Sequence, residues 1–204
     1  MCRKLGSDKM NKIMKFKVEI EGLEEKIWRE IEIADHMTIA DLAYTILASF
    51  NSLAYHLYKI DYNNVSYCSS IDADFALENE VEARDFKLEN FNFKAYDKMI
   101  MEYDFGSPTT FIITYFGSRN INRKDAYIYP LVIAGQGNGM LDDITCYELK
   151  EIVDETDKLG YSNYSYTPGY EKNTKYDYRN YNLKSDNLKL KGLILLIKNG
   201  YEAG

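Results

Sequence analysis

Cysteine, proline, histidine and tryptophan are all scarce in this 204-residue chain, and each scarcity closes off a class of explanation. The three cysteines, Cys2, Cys68 and Cys146, are odd in number and far apart. They fit neither a disulfide framework nor a structural zinc site, and instead suit a reducing compartment. Only His36 and His56 could act as a histidine base, and no cysteine sits in an activating context, so no catalytic residues are nominated. No apolar run reaches the ~18 residues of a membrane-spanning helix, and the Lys-rich start lacks the apolar core and cleavage site of a signal peptide. A cytoplasmic protein is expected, with no membrane contact. Basic charge is also short: 25 Lys and Arg stand against 32 Asp and Glu, giving a net charge of -7. Without a basic cluster, that balance argues against nucleic acid as a partner.

Apolar material is plentiful. Hydrophobic residues make up 46% of the chain and aromatics 14%, enough to take roughly 70% of the unfolded surface out of water without a cofactor. Residues 1–13 are polar and basic and read as a flexible arm. From Met14, alternating Phe16, Val18 and Ile20, then Ile27, Ile31 and Ile33 after a turn, predict an antiparallel hairpin with one wet face. Trp28 falls on the wet face, so a covering group is expected over it. Thr38 with Asp41 three residues later forms a capping-box pattern ahead of Ile39, Leu42, Ala43, Ile46, Leu47 and Phe50 at helical spacing. A second hairpin spans Tyr55 to Cys68 about Asn63-Asn64, two residues that tolerate left-handed backbone.

Residues 69–86 read as connection, and Leu88 to Phe93 as one or two helical turns. Strands follow at Lys98 to Tyr103 and Phe111 to Phe116 about the Gly106–Pro108 turn, and at Tyr127 to Ala134. The last strand runs into Gly135-Gln136-Gly137-Asn138-Gly139. Asp142 or Asp143 is then expected to cap a helix that stops near Gly160. Tyr161 to Tyr181 carries seven tyrosines and few aliphatics, which suits a loop on the surface; Leu183 to Ile197 is leucine-rich and reads as helix. The expected organisation is a single α+β domain over residues 14–160, with an antiparallel or mixed sheet built from hairpins and with packed helices. The tyrosine-rich loop and C-terminal segment, 161–204, would pack on it.

Several of these stretches, in this order, resemble one family: Ile27-Trp28-Arg29-Glu30-Ile31, the Thr38 to Phe50 helix, Tyr55-His56-Leu57-Tyr58, Tyr103-Asp104-Phe105-Gly106 and Tyr129-Pro130. Together they resemble the plasmid pRiA4b ORF-3-like family from about Lys15 to Asp154. The resemblance implies a small α+β protein, often associated with plasmids or insertion elements, and no established activity. The family usually continues Asp-Phe-Gly with a second Asp, then Trp and His, where this chain has Ser107-Pro108-Thr109-Thr110-Phe111. Its usual prolines, Glu-Asp and paired glycines are replaced by Gly139-Met140-Leu141-Asp142-Asp143-Ile144, which keeps only an acidic pair.

Chemistry is weighed on four constellations. Asp104-Phe105-Gly106 lacks the partner motifs of a kinase, so the simpler expectation is a strand end in which Gly106 supplies positive φ and Asp104 bonds to turn amides. The glycine-rich loop lacks dinucleotide and P-loop spacing, and Asp142 and Asp143 would repel a phosphate there. Asp104, Asp142, Asp143 and His56 could supply oxygen and imidazole ligands to a divalent cation, provided that they converge. Tyr161, Tyr164, Tyr166 and Tyr170 are candidates for a protein-contact surface. The leading expectation is therefore a non-enzymatic binding or accessory module with a protein partner and no cofactor. The rival is a metal-dependent, hydrolase-like enzyme using those three aspartates and His56.

Overall fold

The computed structural model describes residues 11–72, 77–166 and 174–203. It is an α+β fold: an eight-stranded mixed sheet in the order β5-β4-β3-β6-β7-β1-β2-β8, with three helices. The strands are β1 (Asn11–Ile20), β2 (Trp28–Ala34), β3 (Tyr58–Tyr62), β4 (Val65–Cys68), β5 (Glu80–Glu82), β6 (Lys98–Tyr103), β7 (Thr109–Ile121) and β8 (Leu131–Gln136). All neighbours run antiparallel except β4 and β5. Helices α1 (Ile39–Ser49), α2 (Cys146–Leu159) and α3 (Leu183–Glu202) join this sheet, and a two-residue ladder pairs β9 (Ser165–Tyr166) with β10 (Thr174–Lys175).

Both predicted hairpins form. In the β3–β4 turn, Asn63 and Asn64 sit at φ 49° and 63°, the left-handed pair that a two-residue hairpin turn demands. The first strand begins earlier than its alternation suggests. A bulge at Lys15–Phe16 breaks the two-residue period, so Ile13 and Met14 are both buried and residues 11–13, expected as arm, are strand. The rest of that predicted arm, residues 1–10, lies outside the described residues. Trp28 is half-buried, with the Lys17 ammonium 5.4 Å from its ring centroid.

Helix α1 is the hub of the core. Thr38 and Asp41 form the reciprocal capping box, with Asp41 N donating to Thr38 Oγ1 at 3.0 Å and Thr38 N donating to Asp41 Oδ2 at 2.9 Å. Every residue of the helix is buried, as befits a helix covered on more than one side. Part of the cover is α3: Tyr201 stacks on Tyr44 at 5.5 Å, and Lys198 pairs with Asp41 at 2.9 Å.

Four expectations need correction. The stretch 69–86 is not all connection; it holds the short parallel strand β5 and a 3-10 turn at Ala83–Asp85, which three residues of local pattern cannot signal. The strand expected from Tyr127 starts at Leu131, after a 3-10 turn over Arg123–Ile128. Helix α2 is capped by Thr145, boxed with Glu148, rather than by Asp142 or Asp143. Finally, the tyrosine-rich stretch is not simply a surface loop. Tyr176 and Tyr178 are buried, and Tyr176 donates to Gly139 O at 2.6 Å.

The least expected core residue is charged. Arg29 lies on the inward face of β2 between Ile27 and Ile31 and is fully buried. Its guanidinium donates to Ser49 O at 3.0 Å, Trp28 O at 2.8 Å, Gln136 O at 2.7 Å and Gly137 O at 2.8 Å. The rings of Phe50 and Tyr181 lie 4.8 and 3.9 Å from its central carbon. Burial pulls its pKa down, while the charges of Tyr181 and Asp186 oppose that shift. The glycines of the adjoining loop follow from this packing. Gly137 and Gly139 have φ of +78° and +105°, and a Cβ would come within 2.5 Å of Lys26 O and 2.2 Å of Phe50 O respectively. Truncating Arg29→Ala would leave four carbonyls, those of Ser49 and Gly137 buried, without this donor. Chemical denaturation should show a loss of at least about 3 kcal/mol; a loss below about 1 kcal/mol would refute this role.

Candidate metal centre

Two loops meet at one end of the sheet, and each follows directly from a group that Arg29 holds. After Ser49 and Phe50, residues 51–57 turn sharply, with Asn51 and Ala54 at φ 61° and 56°, and bring Tyr55 and His56 to the surface ahead of β3. After Gly137 and Gly139, the chain runs through buried Met140 and Leu141 to Asp142 and Asp143. The third contributor is Asp104, which directly follows β6 beside β3.

Asp142 joins the two loops. It accepts hydrogen bonds from Ser52 Oγ at 2.7 Å, Leu53 N at 2.9 Å and Tyr103 Oη at 3.0 Å. A carboxylate so occupied is an anchor, and the structure separates Asp142 from the other three candidates. Those three converge. His56 Nε2 lies 2.9 Å from Asp143 Oδ1 and 3.6 Å from Asp104 Oδ2, and one ligand atom from each residue falls within 4.8 Å of the others. Ligands about 2.1 Å from a common ion are about 3.0 Å apart in an octahedron and about 3.4 Å in a tetrahedron, so the two histidine–carboxylate separations suit one cation.

The surroundings fix these side chains. Tyr55 donates its hydroxyl to Asp143 Oδ2, and the Tyr55 ring lies 4.4 Å from the imidazole. The Tyr103 ring packs edge-on against the imidazole at 5.8 Å. Tyr201 from α3 donates to the His56 backbone carbonyl. Hydrogen bonds from Tyr55, then from His56, hold the Asp143 carboxyl below the usual range and keep it ionised. In turn, burial and then Asp143 push the Tyr55 hydroxyl up, so it stays a donor.

Asp104 carries the sharpest signal. Its side chain is only 9% exposed, whereas that of Asp143 is 64% exposed. Its Oδ1 accepts from Gly106 N at 3.1 Å, as expected of a turn, but Asp104 itself takes the left-handed conformation at φ 60°, not Gly106. Oδ2 is left facing the imidazole. Asp143 is also left-handed at φ 64°. Sequence reading named His56, Asp104 and Asp143 but missed the supporting hydroxyls of Ser52, Tyr55, Tyr103 and Tyr201. Tyr55, next to His56, and Tyr103, next to Asp104, are the two whose place in the chain could have suggested them.

Of the proposed contact tyrosines, Tyr161 is exposed and Tyr164 is partly buried against the core. Tyr170 and the side chain of Tyr166 lie outside the described residues. Among the described residues no helix is long and apolar enough to cross a membrane.

The crystal structure of a protein of unknown function from Methanosarcina mazei Go1 is similar to this one. It has a TM-score of 0.61 and 21% sequence identity, over 73% of this chain and 83% of that chain. At that identity the likeness speaks for the fold alone. No curated protein matches the sequence. The model of the plasmid pRiA4b ORF-3-like protein family matches residues 12–184, which takes in the sheet, α1, α2 and all three converging side chains, and the chain belongs to that family.

Proposed function

We propose that the protein is a divalent-metal-dependent enzyme of the hydrolase type, with His56, Asp104 and Asp143 as ligands. The observation that carries this reading is the approach of one imidazole and two carboxylates to a common point. One imidazole and two carboxylates suit a borderline-to-hard divalent ion such as Mn2+ or Zn2+. Three protein ligands leave coordination positions for water, and a bound divalent ion lowers the pKa of such a water toward neutrality. The chain's own part is to hold the ligands. Tyr55 keeps Asp143 ionised and oriented, and the Asp142–Ser52–Tyr103 network fixes the loop that carries His56.

Saturating Mn2+ or Zn2+ at a hundredfold excess over Kd should stabilise the fold by about 2.7 kcal/mol, a rise in Tm of roughly 5–10 °C for a chain of this size. Asp104→Asn keeps the hydrogen bond to Gly106 and tolerates the left-handed backbone. It should weaken metal binding at least tenfold in calorimetry while leaving the metal-free Tm close to wild type. Absence of any shift with either metal at millimolar concentration would retire the reading.

A second reading, a protein-binding module, is favoured by one observation on a different surface. Leu188 and Leu195, seven residues apart on α3, are 81% and 59% exposed, a spacing that places them on one helix face. Exposed leucines in this arrangement suit a protein contact better than Tyr164, which is half committed to the core. Replacing both leucines with glutamate should abolish capture of any partner recovered by the native protein. An unchanged set of captured proteins would remove this surface.

A further inference from the structure

Beside the cation centre, α3 and the 52–57 loop enclose an open cleft of about 710 Å³, a size typical of small-molecule sites. Its lining is graded. Leu193, Leu196 and Ile197 from α3 face Leu53 and Leu57 along the walls, while His56 and the hydroxyl-bearing Ser52, Ser69 and Ser70 supply the polar part. No Lys or Arg is among the lining residues. The carboxylates of Asp142 and Asp143 lie just behind Ser52 and His56. Such a cleft offers an apolar chain a place to lie and has nothing of its own to neutralise an anionic headgroup.

One residue of the lining does not fit a helix kept only for packing. Gly200 stands in the last turns of α3, where glycine is about 1 kcal/mol poorer than alanine. Its backbone has no positive φ to require it, and an added Cβ would meet no atom within 4 Å. Gly200 lines the cleft, with open space where a Cβ would stand. From Leu193 to Gly200 the helix rises roughly 10 Å, which suits a medium-length acyl chain.

Resting on the cation centre proposed above, we infer that the cleft receives an uncharged acyl compound, an aliphatic amide or ester, with its carbonyl end at His56 and its chain along α3. Gly200 is the residue that keeps the chain's path open. The ligand class follows from the lining: aliphatic walls select the chain, hydroxyls receive a neutral carbonyl, and without a bound metal the neighbouring aspartates repel a free carboxylate.

The test uses the full chain and measures binding of simple amides by calorimetry and ligand-observed NMR, first without metal and then with Mn2+. Affinity should rise about threefold per methylene from butanamide to octanamide, and metal-free protein should bind octanoate at least tenfold more weakly than octanamide. Gly200→Leu should weaken octanamide at least tenfold while Tm stays equal or rises and Mn2+ affinity is unchanged. Chain-length independence, equal binding of octanoate, or undiminished binding by Gly200→Leu would each overturn the inference. Mn2+ binding without octanamide binding would remove this inference and leave the metal centre standing. The reverse would retire the metal centre and leave the acyl cleft.

Discussion

A buried guanidinium with no carboxylate of the described residues bonded directly to it organises this protein. Arg29 directs its donors to four backbone carbonyls: one in its own strand, one at the end of α1, one at the last residue of β8 and one in the glycine-rich turn that follows. An isolated charge in a core costs several kcal/mol unless hydrogen bonds and polarizable neighbours replace its water. Here those replacements can be met only if the end of α1, the Gly135–Gly139 turn and the ring of Tyr181 all close on the same point. The fold is therefore over-determined at that end of the sheet.

The candidate centre follows from this closure. The chain leaving α1 carries Tyr55 and His56 six and seven residues beyond Ser49, and the chain leaving the glycine turn carries Asp142 and Asp143 five and six residues beyond Gly137. With both segments pinned at Arg29 and tied again at Asp142, the imidazole and the Asp143 carboxylate meet without needing an ion to draw them together. Asp104 is added independently, by the pairing of β6 with β3. Four non-glycine residues around this point, Asn51, Ala54, Asp104 and Asp143, hold left-handed backbone. Each such position costs of order 1 kcal/mol, so the surrounding packing must be firm enough to impose it.

Local chemistry was legible in the sequence wherever it acts over a few residues. The Thr38–Asp41 box, the Asn63-Asn64 turn and the alternation of β2 each rest on neighbours in the chain, and each formed as read. What escaped was non-local. Arg29 shares the alternation of Ile27, Ile31 and Ile33 in the sequence, yet its charge gives no sign of an inward place, and no local pattern shows that the distant carbonyls of Ser49, Gln136 and Gly137 await it. Similarly, Asp142 and Asp143 precede a helix and look like its caps, yet Thr145 with Glu148 provides a complete box and frees both aspartates for the loop opposite. Tyr176 and Tyr178 look like surface residues because their segment lacks aliphatics; Tyr176 finds the buried acceptor Gly139 O, and Tyr178 buries its ring while its hydroxyl donates to Asp157 at the surface. In sequence, His56, Asp104 and Asp143 were only a list of plausible ligands, since convergence is a property of sheet order.

The account's central claim is that these three side chains form one cation site. Crystals soaked in Mn2+ and measured near the manganese absorption edge address it most directly. The account predicts an anomalous peak about 2.0–2.3 Å from His56 Nε2 and from one carboxylate oxygen each of Asp104 and Asp143. A peak at Asp142 or elsewhere, or none at millimolar Mn2+ with the three side chains ordered, would contradict it.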